Sequence, residues 1–430
     1  MRRPHRAAPD LDGGPRARRT ARPAHRRPLR LPLHRHPARD TAGRVRHVRR
    51  RLRLARPATS PLHRRDLPRR RPGAARRRAR FRAGARPVRT VAAGFVTVRL
   101  GVIGLGWWAR FAHLPAIAAA PGLRLTAVCD ADPGRADPVR ADLGVPVFTD
   151  PAELYASGLV DGVVIATPHA THHAPAKAAL ESGVHVLVEK PMTTSAAEAW
   201  DLVATAERTG THLSVGYTGQ YSAAAARVRQ AVREGEIGEL VCVNGDFSSV
   251  MMNLLTGTPT YAAPGAGGQG HSQLTHLAGA LTRVTGQGAE QVFAYMDHRS
   301  LPVDVVDALT FRLAGGAVGS LTATGTVPEG LPTRQRLRLY GTSGMVEHDL
   351  QYGTATVHRP DGTRVRLSPD PSRPAWGKHA PVEAFGELIA GRGPNHAPGD
   401  EAAAAVDLVE AAYRSARTGL PVTITPAFRG

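Results

Sequence analysis

Five short apolar runs recur between residues 98 and 217, with Ala-rich or amphipathic segments between them. Each run is six or seven residues long, and the runs lie at 98–103, 123–129, 160–166, 184–189 and 212–217. Apolar strands that alternate with helices are typical of a parallel sheet covered by helices on both faces. Residues 96–217 are therefore predicted to form a doubly wound α/β domain.

After residue 217 the apolar positions follow a different period. Apolar and polar residues alternate along three segments, at 307–313, 336–341 and 363–367. This alternation indicates strands with one buried face. A last helix is expected to begin at Asp400 and to end before Gly419. Residues 218–430 are thus predicted to form an α+β domain with a large, mainly antiparallel open sheet.

Residues 1–95 fit neither pattern. They hold 31 basic residues, all of them Arg, and four acidic ones, a net charge of +27, whereas the rest of the chain carries −5. With few apolar residues and many like charges, this extension is predicted to be disordered. A nucleic-acid-binding arm, a targeting peptide and non-native sequence upstream of a true start at Val96 are the three interpretations. We favour the third, and expect no nucleic-acid partner for the folded body.

The two cysteines, Cys129 and Cys242, lie inside apolar runs and are expected to be buried thiols in a reducing compartment. The chain has no run of about eighteen apolar residues, the length that would span a membrane. We therefore expect a cytoplasmic protein without a membrane partner.

The first strand leads directly into a glycine-rich turn, Gly104-x-Gly106-x-x-Ala109, that opens a helix. The first glycine permits a tight turn, the second allows a pyrophosphate to approach the backbone, and the small third residue lets helix pack on strand. Trp107 and Trp108 are expected to contribute backbone amides and packing. The turn is therefore a candidate dinucleotide-binding loop.

Its context separates this turn from a similar one. GAGGQG at 265–270 matches the same pattern, but no strand precedes it. After Ala109, by contrast, the second strand ends at Asp130, where an acid would bind the ribose hydroxyls and repel a 2′-phosphate. The sequence therefore favours NAD over NADP as cofactor; the alternative is a plain strand–turn–helix with a surface acid.

The run at 184–189 ends in a glutamate and a lysine, Glu189 and Lys190, followed by a proline. Ligands of a doubly wound sheet lie at the carboxyl ends of its strands. A lysine there can stabilise the charge that develops on a hydroxyl during oxidation, or remove its proton if the pKa is lowered. The alternative is a solvated ion pair at the end of a strand.

Several motifs resemble those of the Gfo/Idh/MocA (glucose–fructose oxidoreductase, inositol dehydrogenase and MocA) family over residues 98 to about 425. The motifs are GVIGLGWWARFAHLPA, ATPHATHH (166–173), VLVEKP, LYGTSGMVEHD (339–349) and VEAAYRSARTGLPV (409–422). The resemblance implies a Rossmann domain for the first part of the body and a catalytic role for Lys190. It also implies that a set of residues lies along the cofactor, namely Thr167, His169, His172, Glu189 and Lys190.

The second signature of the family is a glycine-rich stretch followed by Asp, three residues and His. In GAGGQGHSQLTHLAGAL, His276 matches the histidine, but Ser272 occupies the position of the acid and Gly279 that of a later Asp. By this resemblance His276 is a second catalytic residue, and Ser272 and Gln273 are expected to contact substrate together with His276. Because Ser272 cannot ionise, it cannot replace the acid in the proton relay of the family.

The remaining histidines are given plainer interpretations. His169, His172 and His173 cluster in sequence, but no carboxylate or thiolate accompanies them, so no metal is expected. His113 and His185 are expected to be packing histidines.

The resulting prediction is an NAD-dependent oxidoreductase that acts on a secondary hydroxyl of a sugar, cyclitol or related polyol, and that forms a homodimer or homotetramer as the family implies. Two alternatives remain open. One is an enzyme of the same family that uses bound NAD to cleave glycosides. The other is a non-catalytic dinucleotide-binding sensor or regulator.

Overall fold

A computed structural model describes residues 97–368, 377–425 and 428. The predicted disorder of residues 1–95 concerns residues outside this part of the chain. All the elements below belong to one compact unit.

The first sheet has six parallel strands in the order β3-β2-β1-β4-β5-β6. Its strands are β1 (Val98–Ile103), β2 (Leu123–Cys129), β3 (Val147–Phe148), β4 (Gly162–Ile165), β5 (His185–Val188) and β6 (Leu213–Val215). Five of them coincide with the apolar runs, and the predicted doubly wound fold is confirmed.

Helices connect these strands across both faces of the sheet. They are α1 (Leu114–Ala119), α2 (Pro133–Leu143), α3 (Pro151–Ala156), α4 (His173–Glu181) and α5 (Ala196–Thr209). A π-helical turn at Ala109–His113 precedes α1, and Pro115 lies at the start of α1, where its missing N–H needs no partner. Asp132 caps α2 by accepting a hydrogen bond from the Gly134 amide.

The second sheet has nine strands in the order β14-β13-β12-β11-β7-β10-β9-β8-β15. They are β7 (Leu240–Ser248), β8 (Ala289–Asp297), β9 (Val306–Leu313), β10 (Val318–Thr324), β11 (Arg334–Gly341), β12 (Met345–Asp349), β13 (Thr354–His358), β14 (Arg364–Leu367) and β15 (Val422–Thr423). All neighbours pair antiparallel except β7 and β10. The prediction of a mainly antiparallel sheet is therefore confirmed.

Six further helices lie along this part of the chain: α6 (Ala223–Arg233), α7 (Met252–Gly257), α8 (Pro259–Ala262), α9 (Thr275–Thr285), α10 (Ala380–Ile389) and α11 (Gly399–Thr418). Side chains of α6, α9 and α11 form one apolar core with the buried face of the nine-stranded sheet. No helix in the described ranges is both long and apolar enough to span a membrane.

The chain returns to the first sheet near its end. Phe385 and Ile389 of α10 share a core with strand β1, and residues of α11 share another with β4, β5 and β6. Burial of each of these two α10 side chains stabilises the folded protein by roughly 1.5–3 kcal/mol. The core of the six-stranded sheet thus includes residues beyond 217, and the domain boundary at that residue stays a prediction.

Candidate active site

The glycine-rich turn after β1 fits a diphosphate. Gly104 has φ +86°, and a Cβ on it would lie 2.7 Å from the carbonyl oxygen of Ala166, so only glycine permits this approach of two loops. A Cβ on Gly106 would meet no heavy atom within 4 Å. Ala109 is fully buried where the helical turn packs on the sheet. The open space at Gly106, beside the start of a helical turn, suits the pyrophosphate of a dinucleotide.

The two tryptophans that follow point in different directions. The Trp107 side chain is 62% exposed, and its ring stacks on Phe111 with centroids 5.1 Å apart. Trp108 turns inward, and its indole Nε1 donates a 2.7 Å hydrogen bond to Glu189 Oε1. Trp107 lines a cleft whose walls also include Gly106, Arg135, Pro168 and Thr258.

Asp130 follows β2 and is almost fully buried. Its Oδ2 accepts a 2.7 Å hydrogen bond from the Leu105 amide, and its Oδ1 accepts one of 2.9 Å from the Asp132 amide. The carboxylate therefore links the glycine-rich turn to the end of β2. Each oxygen has a second lone pair with which it can accept from a ribose hydroxyl.

Lys190 follows β5 and reaches across to the second part of the chain. Its Nζ donates a 3.0 Å hydrogen bond to the carbonyl oxygen of Ser272. Burial lowers the pKa of Lys190, and the charge of Glu189 opposes that shift. The charge of Lys190 in turn contributes to the lowered pKa values of His169 and His276. His169 and His276 therefore both lie within electrostatic range of Lys190.

Glu189 is held by groups from three segments. Trp108 Nε1 and His113 Nε2 lie 2.7 Å and 3.0 Å from its Oε1, and the Lys190 amide lies 3.1 Å from its Oε2. A Cβ on Gly216 would lie 2.7 Å from Oε1, so a larger residue there would displace the carboxylate. Burial raises the pKa of Glu189, but His113, Lys190 and Trp108 outweigh it and the pKa is lowered overall.

The sequence predicts that His113 is a packing histidine, and the structure adds a contact with the Glu189 carboxylate. No local pattern could have revealed it, since a buried histidine in a helical turn looks the same in sequence whether it packs or pairs with a carboxylate. The ring is almost fully buried.

The loop after β4 carries the other residues predicted to lie along the cofactor. The two ring nitrogens of His172 lie 2.8 Å from the Pro191 carbonyl and 2.9 Å from the Thr167 carbonyl, which connects this loop to the one that follows β5. His169 Nδ1 lies 3.1 Å from the Ala266 carbonyl. Burial first, and then the charge of Lys190, lower the pKa of His169 well below its usual range.

His276 lies at the start of α9, with its ring 5.9 Å from those of both Tyr217 and Phe247. Burial and the Lys190 charge lower its pKa well below the usual range, so the ring is neutral at pH 7. The structure therefore brings His276, Lys190 and the backbone of Ser272 together.

The two predicted substrate contacts differ in exposure. Ser272 is fully buried, and its Oγ has no hydrogen-bond partner among the described residues. Gln273 is partly exposed, with its Nε2 3.0 Å from the sulfur of Met251. The substrate contacts of both residues stay predictions.

The three histidines that cluster in sequence, His169, His172 and His173, each contact another group of the protein. His173 Nε2 lies 2.7 Å from Asp201, which Lys177 also contacts. Across residues 97–368 and 377–425, no three His, Cys, Asp or Glu side chains are arranged to hold a metal ion.

Two family models match the chain. Residues 98–217 match the oxidoreductase family with an NAD-binding Rossmann fold (GFO_IDH_MocA), and residues 225–347 match the GFO/IDH/MocA C-terminal domain. Together they span more than half of the sequence.

Individual proteins are also similar to this chain in sequence or in structure. The scyllo-inositol 2-dehydrogenase (NAD(+)) of Bacillus subtilis is 29% identical over 290 residues, covering 64% of this chain and 80% of that protein. A glycosyl hydrolase family 109 protein of Streptomyces coelicolor is 32% identical over 245 residues, covering 55% and 48%. Among solved structures, levoglucosan dehydrogenase in complex with NADH superposes with a TM-score of 0.67 at 20% identity, covering 76% of this chain and 99% of that one, which supports the fold.

Proposed function

Because the chain belongs to the Gfo/Idh/MocA family of NAD-binding oxidoreductases, we propose that it transfers hydride between NAD and a secondary hydroxyl of a sugar, cyclitol or related polyol. The family and the cofactor NAD are thereby as the sequence predicted. One observation carries the finer proposal. The Lys190 amine follows the carboxyl end of β5 and is within electrostatic range of His276 and His169.

Lys190 handles the proton of the substrate hydroxyl. NAD, when bound, supplies the acceptor for the hydride that leaves the carbinol carbon. Because burial lowers the pKa of Lys190, its neutral amine can take the hydroxyl proton as the C–H bond breaks and the carbonyl forms. In the reverse direction the ammonium returns that proton to the alkoxide oxygen. His276, neutral at pH 7, accepts a hydrogen bond from the substrate or passes the proton on.

The cofactor residues fall into three groups in this proposal. The turn at Gly104, Gly106 and Ala109, with the amides of Trp107 and Trp108, holds the diphosphate. Asp130 binds the adenosine ribose. The nicotinamide side is bounded by Thr167, His169, His172, Glu189 and Lys190.

The test is a panel of sugars and cyclitols with NAD and with NADP, in which the reduced nicotinamide is followed by absorbance on the full chain. Substrate-dependent reduction of NAD supports the proposal. Tight binding of NAD without turnover of any polyol would instead favour a dinucleotide-binding sensor.

A glycoside-cleaving activity is the second candidate, and the similarity to the Streptomyces coelicolor protein favours it. Such an enzyme oxidises its substrate only transiently. Release of a sugar from an aryl glycoside, with no net reduction of added NAD, would identify it.

The open face of the nine-stranded sheet is the proposed surface of a homodimer or homotetramer. Tyr295 on β8 and Val318 on β10 are large apolar side chains that are exposed in the single chain, and they alternate with the buried Ala294 and Leu321 of the same strands. Exposed apolar side chains on a sheet face favour association. Light scattering after size-exclusion chromatography measures the state directly. The cytoplasmic location stays a prediction.

A further inference from the structure

The second glycine-rich stretch, GAGGQG at 265–270, encloses a carboxylate of its own chain. The Gly270 amide donates a 2.6 Å hydrogen bond to Asp304 Oδ2, and the Gln269 amide donates one of 3.0 Å to the Asp304 carbonyl. Gly268 has φ +87°, and a Cβ on it would overlap Asp304 Oδ1. The 265–270 loop matches the phosphate-binding pattern in sequence, but in the structure its backbone binds the Asp304 side chain of its own chain.

Two more side chains complete this arrangement. The Tyr413 hydroxyl donates a 2.7 Å hydrogen bond to Asp304 Oδ1. Asp307 is also buried, and neither of its oxygens meets a donor from another described residue. Burial and the neighbouring Asp304 charge raise the pKa of Asp307 well above its usual range. The neutral form of Asp307 is therefore more favourable than that of an exposed aspartate.

The loop leads directly to the atom that binds the catalytic lysine. It continues into a π-helical turn at Gly270–Leu274, in which the Ser272 carbonyl accepts the 3.0 Å hydrogen bond from Lys190 Nζ. Within the same turn, the His271 ring stacks on Tyr413 with centroids 4.6 Å apart. Asp304 therefore accepts hydrogen bonds from two groups that contact this turn. One is the Gly270 amide, which begins the turn, and the other is the hydroxyl of Tyr413, whose ring stacks on His271.

We propose that Asp304 is a positioning residue: by anchoring the 265–270 loop, it places the Ser272 carbonyl that orients the Lys190 amine. The inference rests on the proposed catalytic role of Lys190. Asp304 itself takes no part in bond making. Neutralising it loosens the loop, withdraws the carbonyl from the lysine and leaves the ammonium form of Lys190 less stable.

Asp304→Asn is the direct test, since it keeps the size of the side chain and removes its charge. We expect kcat to fall about ten- to a hundredfold, because small misplacements of a reacting group have effects of that size. The KM for substrate and the affinity for NADH should change little. The acid limb of the kcat/KM profile should move to lower pH.

A matched control separates positioning from folding. Glu401 is another buried acid, paired with Arg229 and Arg283, and Glu401→Gln should lower stability while it leaves kcat and the pH profile of the folded fraction unchanged. If Asp304→Asn behaves like Glu401→Gln, the role of Asp304 is structural and the inference is overturned.

A second readout does not depend on turnover. The pH dependence of Lys190 acetylation by acetic anhydride, followed by mass spectrometry, should shift to lower pH in Asp304→Asn. If the native protein oxidises no polyol but this shift is found, the proposed function fails and the inference stands. If Asp304→Asn does not fold, Tyr413→Phe, which removes one hydrogen bond from Asp304, replaces it; acetylation identical to that of the native protein would overturn the inference.

Discussion

The indole of Trp108 and the carboxylate of Glu189 form a 2.7 Å hydrogen bond between the glycine-rich turn and the end of β5. These two segments carry the proposed diphosphate site and the proposed catalytic lysine. The bond therefore fixes the distance between the two halves of the cofactor site from inside the protein.

Trp108→Phe should destabilise the protein by about 1.5–3 kcal/mol, because a buried carboxylate loses a hydrogen bond to its charged form. The free energy of unfolding, measured in denaturant, tests this. Trp107→Phe is the control: its ring is largely exposed, so the change should stay within about 0.5 kcal/mol. Equal effects of the two substitutions would contradict the structural role of Trp108.

Lys190→Ala should lower kcat by about a hundred- to ten-thousandfold, the usual contribution of a positioned acid–base group. Binding of NAD, measured by fluorescence titration, should largely survive. Lys177→Ala removes a lysine that pairs with Asp201 away from the cleft, and it should leave both quantities unchanged. Full activity in Lys190→Ala would refute the proposed function.

Glu189→Gln should move the acid limb of the kcat/KM profile to lower pH. The charge of Glu189 raises the pKa of Lys190 while burial lowers it, so removal of the charge lets the pKa fall further. The neutral amine, which takes the substrate proton, then predominates at lower pH. Steady-state rates across a pH series give the limb, and a shift to higher pH would exclude Lys190 as the base.

Two glycine substitutions should have opposite signatures. The valine side chain of Gly106→Val projects into open space, so the apo protein should keep its stability. The affinity for NAD should fall roughly tenfold or more, because the side chain occupies the space proposed for the pyrophosphate. Gly104→Ala forces an alanine to φ +86° against the Ala166 carbonyl, and the strain should cost about 1–3 kcal/mol of stability. Thermal unfolding with and without NAD separates the two effects.

Asp130→Asn should raise the kcat/KM for NADP relative to NAD by about tenfold or more, because like charges brought together cost several kcal/mol. The asparagine oxygen can still accept from one of the two amides that Asp130 binds, so most of the local structure should persist. Parallel assays with the two cofactors give the ratio. An unchanged ratio would mean that Asp130 does not face the 2′ position.

The parallel sheet could be predicted because most of its strands are buried on both faces. β1 and β2 begin and end where their apolar runs do. β3 was missed because it is two residues long, and β7 because Asn244 and Gly245 interrupt its apolar positions. Short or interrupted strands are stabilised by the strands next to them in the sheet, and those strands cannot be identified from the local sequence.

The candidate site was predictable where side-chain chemistry marks it. The glycine turn, Asp130 and Lys190 all stand at strand ends that the apolar pattern locates. The partner of Lys190 could not be found in this way, because a backbone carbonyl exists at every residue and only the tertiary fold brings that of Ser272 within reach. Asp304 was overlooked for the related reason that its role depends on backbone amides of the 265–270 loop.

The return of α10 to the first sheet has a consequence for synthesis. Phe385 and Ile389 lie so close to Gly162 that a Cβ there would approach them within 3.1 Å and 2.7 Å, so they fill the space next to β4. Chains fold from the N-terminus as they leave the ribosome. Synthesis therefore reaches these two side chains only after all six strands of the first sheet, and the surface beside β4 is completed last. The full stability of the six-stranded sheet accordingly belongs to the finished polypeptide and not to the nascent one.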